Sequence, residues 1–182
     1  MPNPSEPAPQ DRPGASPPRL VAAELALLDA ALEGDDALSL ALGGHAVAEN
    51  WHADAREAIQ WTRDRVAEDP EYLRWGTRLF VAEGDPPALI GWGGFKGAPA
   101  DGVVELGYAI APAERGRGLA TAAVEAMLRE AFADPAVTAV IAHTLPEANA
   151  STRVLEKSGF RRDGEGRDED VGTVWRWRRE RG

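Results

Sequence analysis

Arg115-Gly116-Arg117-Gly118-Leu119-Ala120-Thr121 sets two arginines and two glycines at the junction between an extended stretch and a helical one. Upstream, Val103 to Ile110 is short, rich in branched and aromatic residues, and closed by Pro112, which cannot donate to a sheet ladder. Downstream, Ala120, Val124, Met127, Leu128 and Ala131 recur with a period near 3.6 and make one apolar helix face running on to Phe132. The first turn of such a helix carries backbone N–H groups without intrahelical partners and the positive end of the macrodipole, a combination that attracts anions. Gly116 and Gly118 remove the Cβ atoms that would keep a phosphate from the backbone, and Arg115 and Arg117 bring charge that can be matched bidentately to phosphate oxygens. The loop therefore points to a pyrophosphate. Gly-x-x-x-x-Gly-Lys-Ser/Thr does not occur, and Gly-x-Gly-x-x-Gly fails because Thr121 stands at the third glycine. What remains is Arg-x-x-Gly-x-Ala on Arg115, Gly118 and Ala120.

Glu105-Leu106-Gly107-Tyr108-Ala109-Ile110 followed by Arg115 to Ala120 resembles the acyl-CoA site of the GNAT superfamily of N-acetyltransferases. A second block, Asn149 to Phe160, resembles the following helix in the branch that acetylates the N-terminal amines of ribosomal proteins. The resemblance implies acetyl-CoA as co-substrate, held by Tyr108, Ala109, Ile110, by the loop Arg115, Gly116, Arg117, Gly118, Leu119, Ala120 and Thr121, and by Asn149. It implies that backbone N–H near Ile110 holds the thioester carbonyl and that Asn149 bonds the pantetheine arm or an ordered water; from its type alone, Asn149 is equally a helix N-cap.

Acyl transfer to an amine needs a neutral nitrogen, a polarised carbonyl and a proton for the departing thiolate. Glu105 shares a strand face with Val103, Gly107 and Ala109, so its carboxylate has small neighbours and open space, and partial burial suits a carboxylate to take a proton from an ammonium. From the residues alone Glu105 is also a solvated charge on a sheet face; the resemblance makes it the base or the amine anchor. Many relatives carry a Tyr four residues before the Gly-Phe that closes the second block, as acid for the thiolate; this chain has Leu155 there. The ribosomal-protein branch offers a Ser two residues after the Asn as substitute, and Ser151 matches it. Tyr108 faces away from Glu105, as a core side chain would. His143 ends a strand nearby, and a lone histidine reads as structural, with no metal cluster beside it.

The chain has 182 residues, enough for one domain with a proper core. It has no cysteine, which excludes disulfides, thiol nucleophiles and an acyl-cysteine intermediate, so transfer is expected to be direct, in a ternary complex. No apolar run approaches the roughly 18 residues of a spanning helix and no export signal opens the chain, so a cytoplasmic protein off the membrane is expected. A net charge of −10 disfavours nucleic acid and favours cationic acceptors, or serves solubility alone.

Seven of the fourteen prolines fall in residues 1–18, which read as a disordered leader before a single domain at 19–182. Arg19 to Ala23 reads as a strand and Glu24 to Leu32 as a helix with Leu25, Leu27 and Leu28 inward; Asp35 to Glu49 is ambiguous. Asp54 to Asp69 reads as a helix with Ala58, Trp61, Val66 and Ala67 on its apolar face, and Trp51, His52 and Trp61 are acceptor-pocket candidates by the resemblance. Arg78 to Glu83 and Ala88 to Phe95 form a hairpin, Ala136 to His143 a strand, and Asn149 to Ser158 a helix capped by Gly159. Phe160 to Arg162 and Val171 to Arg178 form a last hairpin around an acidic loop, with Val171, Thr173, Trp175 and Trp177 on one face, buried against sheet, helix or a second subunit; a homodimer is thus left open. The order predicts an α/β fold, a mixed, mostly antiparallel central sheet with helices on both faces, in agreement with the acyl-CoA N-acyltransferase fold that the resemblance implies. In that fold the strands ending at Ile110 and His143 splay apart to admit the pantetheine arm. A non-catalytic acyl-CoA-binding sensor is the alternative that the missing Tyr supports.

Overall fold

The alternation of apolar residues along Val103–Ile110 is resolved by burial: Val104, Leu106 and Ile110 lie in a core cluster, and Glu105, Gly107 and Ala109 face the other way. This strand, β5, sits in the middle of a sheet in the computed structural model, which describes residues 16–52 and 55–182. The other strands are β1 (Arg19–Ala22), β2 (Ala46–Val47), β3 (Thr77–Ala82), β4 (Ala88–Phe95), β6 (Ala139–Thr144), β7 (Arg161–Asp168) and β8 (Gly172–Glu180). Their spatial order is β1-β3-β4-β5-β6-β8-β7, with the short β2 beside the start of β4. Only β2–β4 and β5–β6 pair in parallel among these strands.

Helices cover both faces, so the expected mixed, mostly antiparallel α/β architecture is what the chain adopts. On one face α4 (Leu119–Ala133) and α5 (Ala150–Lys157) pack against Phe80, Leu106, Val140 and Trp177. On the other, α1 (Leu25–Glu33), α2 (Asp35–Ala41) and α3 (Arg56–Glu68) pack against Leu79, Val81 and Leu89. Strand β4 lies tight against β5 because Gly91 has no side chain: a Cβ there would stand 2.3 Å from the Ala109 carbonyl oxygen.

Several local expectations are corrected. The ambiguous Asp35 to Glu49 stretch holds α2 and β2, and Ala46 N–H donates to Pro87 O at 2.9 Å, so β2 gains its bonds from the start of β4. Helix α3 buries Ile59, Thr62 and Val66, while Trp61 and Ala67 stay exposed, since a narrow seam against α1 admits one residue per turn. In α1, Leu28 is buried but Leu25 is exposed. The acidic loop is instead strand β7, whose ladder with β8 absorbs an irregularity between Arg162 and Gly164. In β8, Trp177 is buried with its indole donating to Thr144 Oγ1 at 2.9 Å and Trp175 lies beneath the Arg162 guanidinium, whereas Thr173, and Val171 in the turn before the strand, are exposed. Of the proposed leader, residues 1–15 fall outside the described residues.

Arg78 is a charged residue buried in this frame, 7% exposed. Its guanidinium donates to Leu73 O at 3.0 Å, Arg74 O at 2.8 Å and Glu130 Oε2 at 3.0 Å, tying the 3-10 turn Pro70–Trp75 to α4. Arg78→Met keeps the stem but strands those carbonyls, and we expect a loss of about 3 kcal/mol in urea unfolding at unchanged m.

Candidate active site

Strands β5 and β6 stay together for three residue pairs, Val103↔Ala139, Val104↔Val140 and Glu105↔Ile141, and then part. Beyond that point β5 follows β4 as far as Gly91↔Ile110, and β6 follows β8 as far as Thr144↔Trp175. The splay expected between the strands ending at Ile110 and His143 is therefore present. Lys96 N–H donates to Glu105 O and Ala111 N–H to Ile90 O, so odd-numbered residues of β5 turn their main chain toward β4. Leu106, Tyr108 and Ile110 consequently turn theirs into the wedge, where a strand partner is missing. Arg115 Nε takes up the Ile110 carbonyl at 3.0 Å, which leaves the N–H side of this stretch free to meet a ligand carbonyl.

A cavity of about 300 Å³ opens from the wedge toward α5, lined by Tyr108, Ala109, Ile110, Arg115, Ala120, Asn149, Ala150, Ser151 and Val154. It runs into a second of about 360 Å³ through the shared Ile110, Arg115, Ala120, Ala150 and Val154. The second extends over Gly116, Gly118, Leu119 and Thr121 to Arg153 and Lys157 on α5. Gly118 is the N-cap of α4 and supplies no side-chain cap, so the N–H groups of the first turn stay bare. Gly116 at φ +76 and Gly118 at φ +79 hold the turn, and a Cβ at either would meet nothing within 4 Å, so both face the open cradle. Arg117 departs from the expectation: it lines neither cavity and is ion-paired with Glu114 instead.

Asn149 meets its capping role in full: Oδ1 accepts from Thr152 N–H at 3.0 Å, and Asn149 N–H donates to Thr152 Oγ1 at 3.0 Å. The cap uses the carboxamide oxygen, and the Nδ2 amide is a donor still available to the cavity that Asn149 lines. Tyr108 packs against the core and also lines this cavity, donating its hydroxyl to Ser151 O at 3.3 Å. Burial pushes its phenol up to about 12, so it stays protonated through the neutral range. Leu155 is fully buried.

The opposite face of the wedge carries Glu105. Its Oε1 accepts from Lys96 Nζ at 2.6 Å and contacts His143 Nδ1 at 3.0 Å, across the point where the strands part. A recess of about 240 Å³ joins Lys96, Glu105, Gly107, His143 and Asp168 with the apolar Leu145, Val171 and Val174. A Cβ at Gly107 would meet nothing within 4 Å, which confirms the open space expected beside Glu105. Asp168 accepts from the N–H groups of Val171 and Asp170, at 3.1 and 3.0 Å, and these bonds, helped by the Lys96 charge, hold its carboxyl below the usual carboxylate range. The recess therefore keeps an anionic wall. Lys96 and Asp168 escaped the sequence reading, and His143, noted there for its strand-end position, was read as structural.

Trp51, His52 and Trp61 do not line the recess. Trp51 is fully buried, its indole donating to Asp35 Oδ1 at 3.0 Å. His52 is exposed, 4.0 Å from the same carboxylate, and Trp61 lies on the outer side of α3 against Tyr72 and Arg65. Among the described residues no cluster of three or more His, Asp or Glu could hold a metal, and no helix is long and apolar enough to cross a membrane.

Known proteins share this fold. The chain is 28% identical over 143 residues to the uncharacterized N-acetyltransferase YjdG of Bacillus subtilis (strain 168), covering 78% of this chain and 84% of that one. The structure of the acetyltransferase AAC(6')-Ib with paromomycin and acetyl-CoA superposes with a TM-score of 0.61 at 20% identity, over 91% of this chain and 94% of that one. RimL, a ribosomal L7/L12 alpha-N-protein acetyltransferase, superposes with a TM-score of 0.61 at 15% identity, over 93% of each chain. At these identities both structures speak for the fold, and they do not single out the ribosomal-protein branch. The model of the acetyltransferase (GNAT) domain matches residues 26–161, and the chain belongs to that family of acetyl-group transferases.

Proposed function

We propose that the chain is an acetyl-CoA-dependent N-acetyltransferase that moves the acetyl group directly onto a primary amine held with the thioester in one ternary complex. The observation that carries this reading is the wedge between β5 and β6, which has an anion cradle on one face and an anionic recess on the other. Pyrophosphate would rest on the bare N–H groups of Leu119, Ala120 and Thr121, framed by Gly116 and Gly118 with Arg115 beside them. The pantetheine arm would lie along Tyr108, Ala109 and Ile110 with Asn149 Nδ2 as donor, bringing the thioester carbonyl to the free N–H groups of β5. Glu105 with its partners is the basic centre on the acceptor side, and Ser151, which lines the cavity on α5, supplies the proton to the departing thiolate.

The acceptor is a protein N-terminal α-amine or a small cationic amine in the cytoplasm. Glu105 and Asp168 suit an ammonium group, and the exposed Leu145 and Val171 at the rim suit an apolar flank. An α-amine, with a pKa near 7.7 to 8.0, asks less of a base than a lysine amine near 10.4. RimL and AAC(6')-Ib, acting on a protein α-amine and bound to an aminoglycoside respectively, represent both classes within this fold. The buried Leu155 favours one other reading, a sensor that binds acetyl-CoA without turning it over.

A thiol-release screen across N-terminal peptides, polyamines and aminoglycosides separates these readings: an enzyme frees CoA with one class, and a sensor binds acetyl-CoA by calorimetry but frees none. Gly118→Val places a β-branched side chain at positive φ inside the cradle, and we expect CoA affinity to fall at least 100-fold; retained affinity would show that the diphosphate binds elsewhere. Glu105→Gln should lower kcat by about 100-fold while calorimetric CoA affinity stays within twofold.

A further inference from the structure

We propose that His143 is the group that takes the proton from the incoming ammonium, through Nε2, and that Glu105 and Lys96 are positioning residues acting through it. This rests on the acetyltransferase reading above and concerns the same wedge. Glu105 is the last residue of β5 paired to β6, and His143 stands two residues past the last pairing of β6, on the same sheet face. Their 3.0 Å contact therefore bridges the strands at the mouth of the wedge, where thioester and amine must meet.

The tautomer follows from the partners. Lys96 Nζ at 2.6 Å holds Glu105 as the carboxylate, which can only accept. His143 Nδ1 must then carry the hydrogen of the shared bond, which leaves the lone pair on Nε2. Glu105 Oε1 is already engaged twice, by an ammonium and by an imidazole. Nε2 lies beside β7, which presents a glycine there: a Cβ at Gly166 would stand in contact with it at 3.4 Å, so the ring edge is spared a side chain from that strand. The charged groups around the ring are Glu105 on β5, Lys96 after β4, Asp168 at the end of β7, and on β8 the cross-strand neighbour Arg176, which Asp163 holds at 2.8 Å.

The step balances. Nε2 removes one proton from the ammonium, the freed lone pair forms the C–N bond as the C–S bond breaks, the thiolate takes its proton from Ser151 to become CoA thiol, and the second nitrogen proton restores the Ser151 hydroxyl by way of water. The imidazolium returns its proton to water between turnovers.

His143→Asn is the decisive variant, because its Nδ2 can replace Nδ1 at Glu105 and keep the bridge while Nε2 is lost. With acetyl-CoA and the peptide, polyamine or aminoglycoside that the unmodified chain turns over, kcat should fall about 100-fold. Thermal stability and calorimetric acetyl-CoA affinity should not change. Near-normal kcat in His143→Asn would reduce the contact to a staple between strands and overturn the proposal. An unmodified chain that frees no thiol would sink the enzymatic reading instead. Long-range ¹H–¹⁵N spectra of the ligand-free protein decide the tautomer independently: Nδ1–H at neutral pH, lost in Glu105→Gln, supports the proposal, and Nε2–H in the unmodified chain overturns it.

Discussion

A β-sheet is held together by a ladder of main-chain hydrogen bonds, and in this protein the ladder is interrupted at its centre. Strands β5 and β6 part after three residue pairs because each remains committed to its outer neighbour, β5 to β4 and β6 to β8. Orphaned main-chain groups inside a domain are costly unless something satisfies them. The protein supplies one partial remedy, Arg115 on the Ile110 carbonyl, and ties the parted strands together by the Glu105–His143 side-chain contact across the gap. The rest of the gap is left as polar backbone lining an opening, an arrangement suited to a polar ligand threaded between strands.

Strand parity divides the work on either side of that opening. Even-numbered residues of β5 lean toward α4 and α5, which brings Tyr108 to the cavity beside Ser151 and buries Leu106 and Ile110. Odd-numbered residues face the recess, where Glu105 has Gly107 as a neighbour that takes no space. A register slip of one residue would exchange the faces and destroy both sites, so the hydrophobic pattern that anchors β5 in the core also fixes the chemistry around it. The two helices that floor the cavities begin with opposite kinds of N-terminus. At α4, Gly118 leaves the first turn bare, as an anion cradle requires. At α5, Asn149 and Thr152 close the turn on itself, which orients Ser151 and the Asn149 amide rigidly.

The loop, the bare start of α4, the cap at Asn149 and the parity of Glu105 and Tyr108 were all determined by the sequence itself. Each depends on interactions within a few residues: the 3.6 and 2.0 periods, glycine at positive φ, and a side chain folding back on its own backbone. Tertiary structure alone decided the rest. Lys96, Glu105 and His143 come from three separate stretches and meet only when β4, β5 and β6 take their register and twist, so no local pattern marks His143 as more than a strand-end residue. The same holds for Trp51, whose place beneath Asp35 depends on how α2 packs, and for Arg117, which shares type and spacing with Arg115 but is ion-paired with Glu114. Burial and ion pairing are properties of neighbours far apart in the chain, and only the packed fold chooses those neighbours.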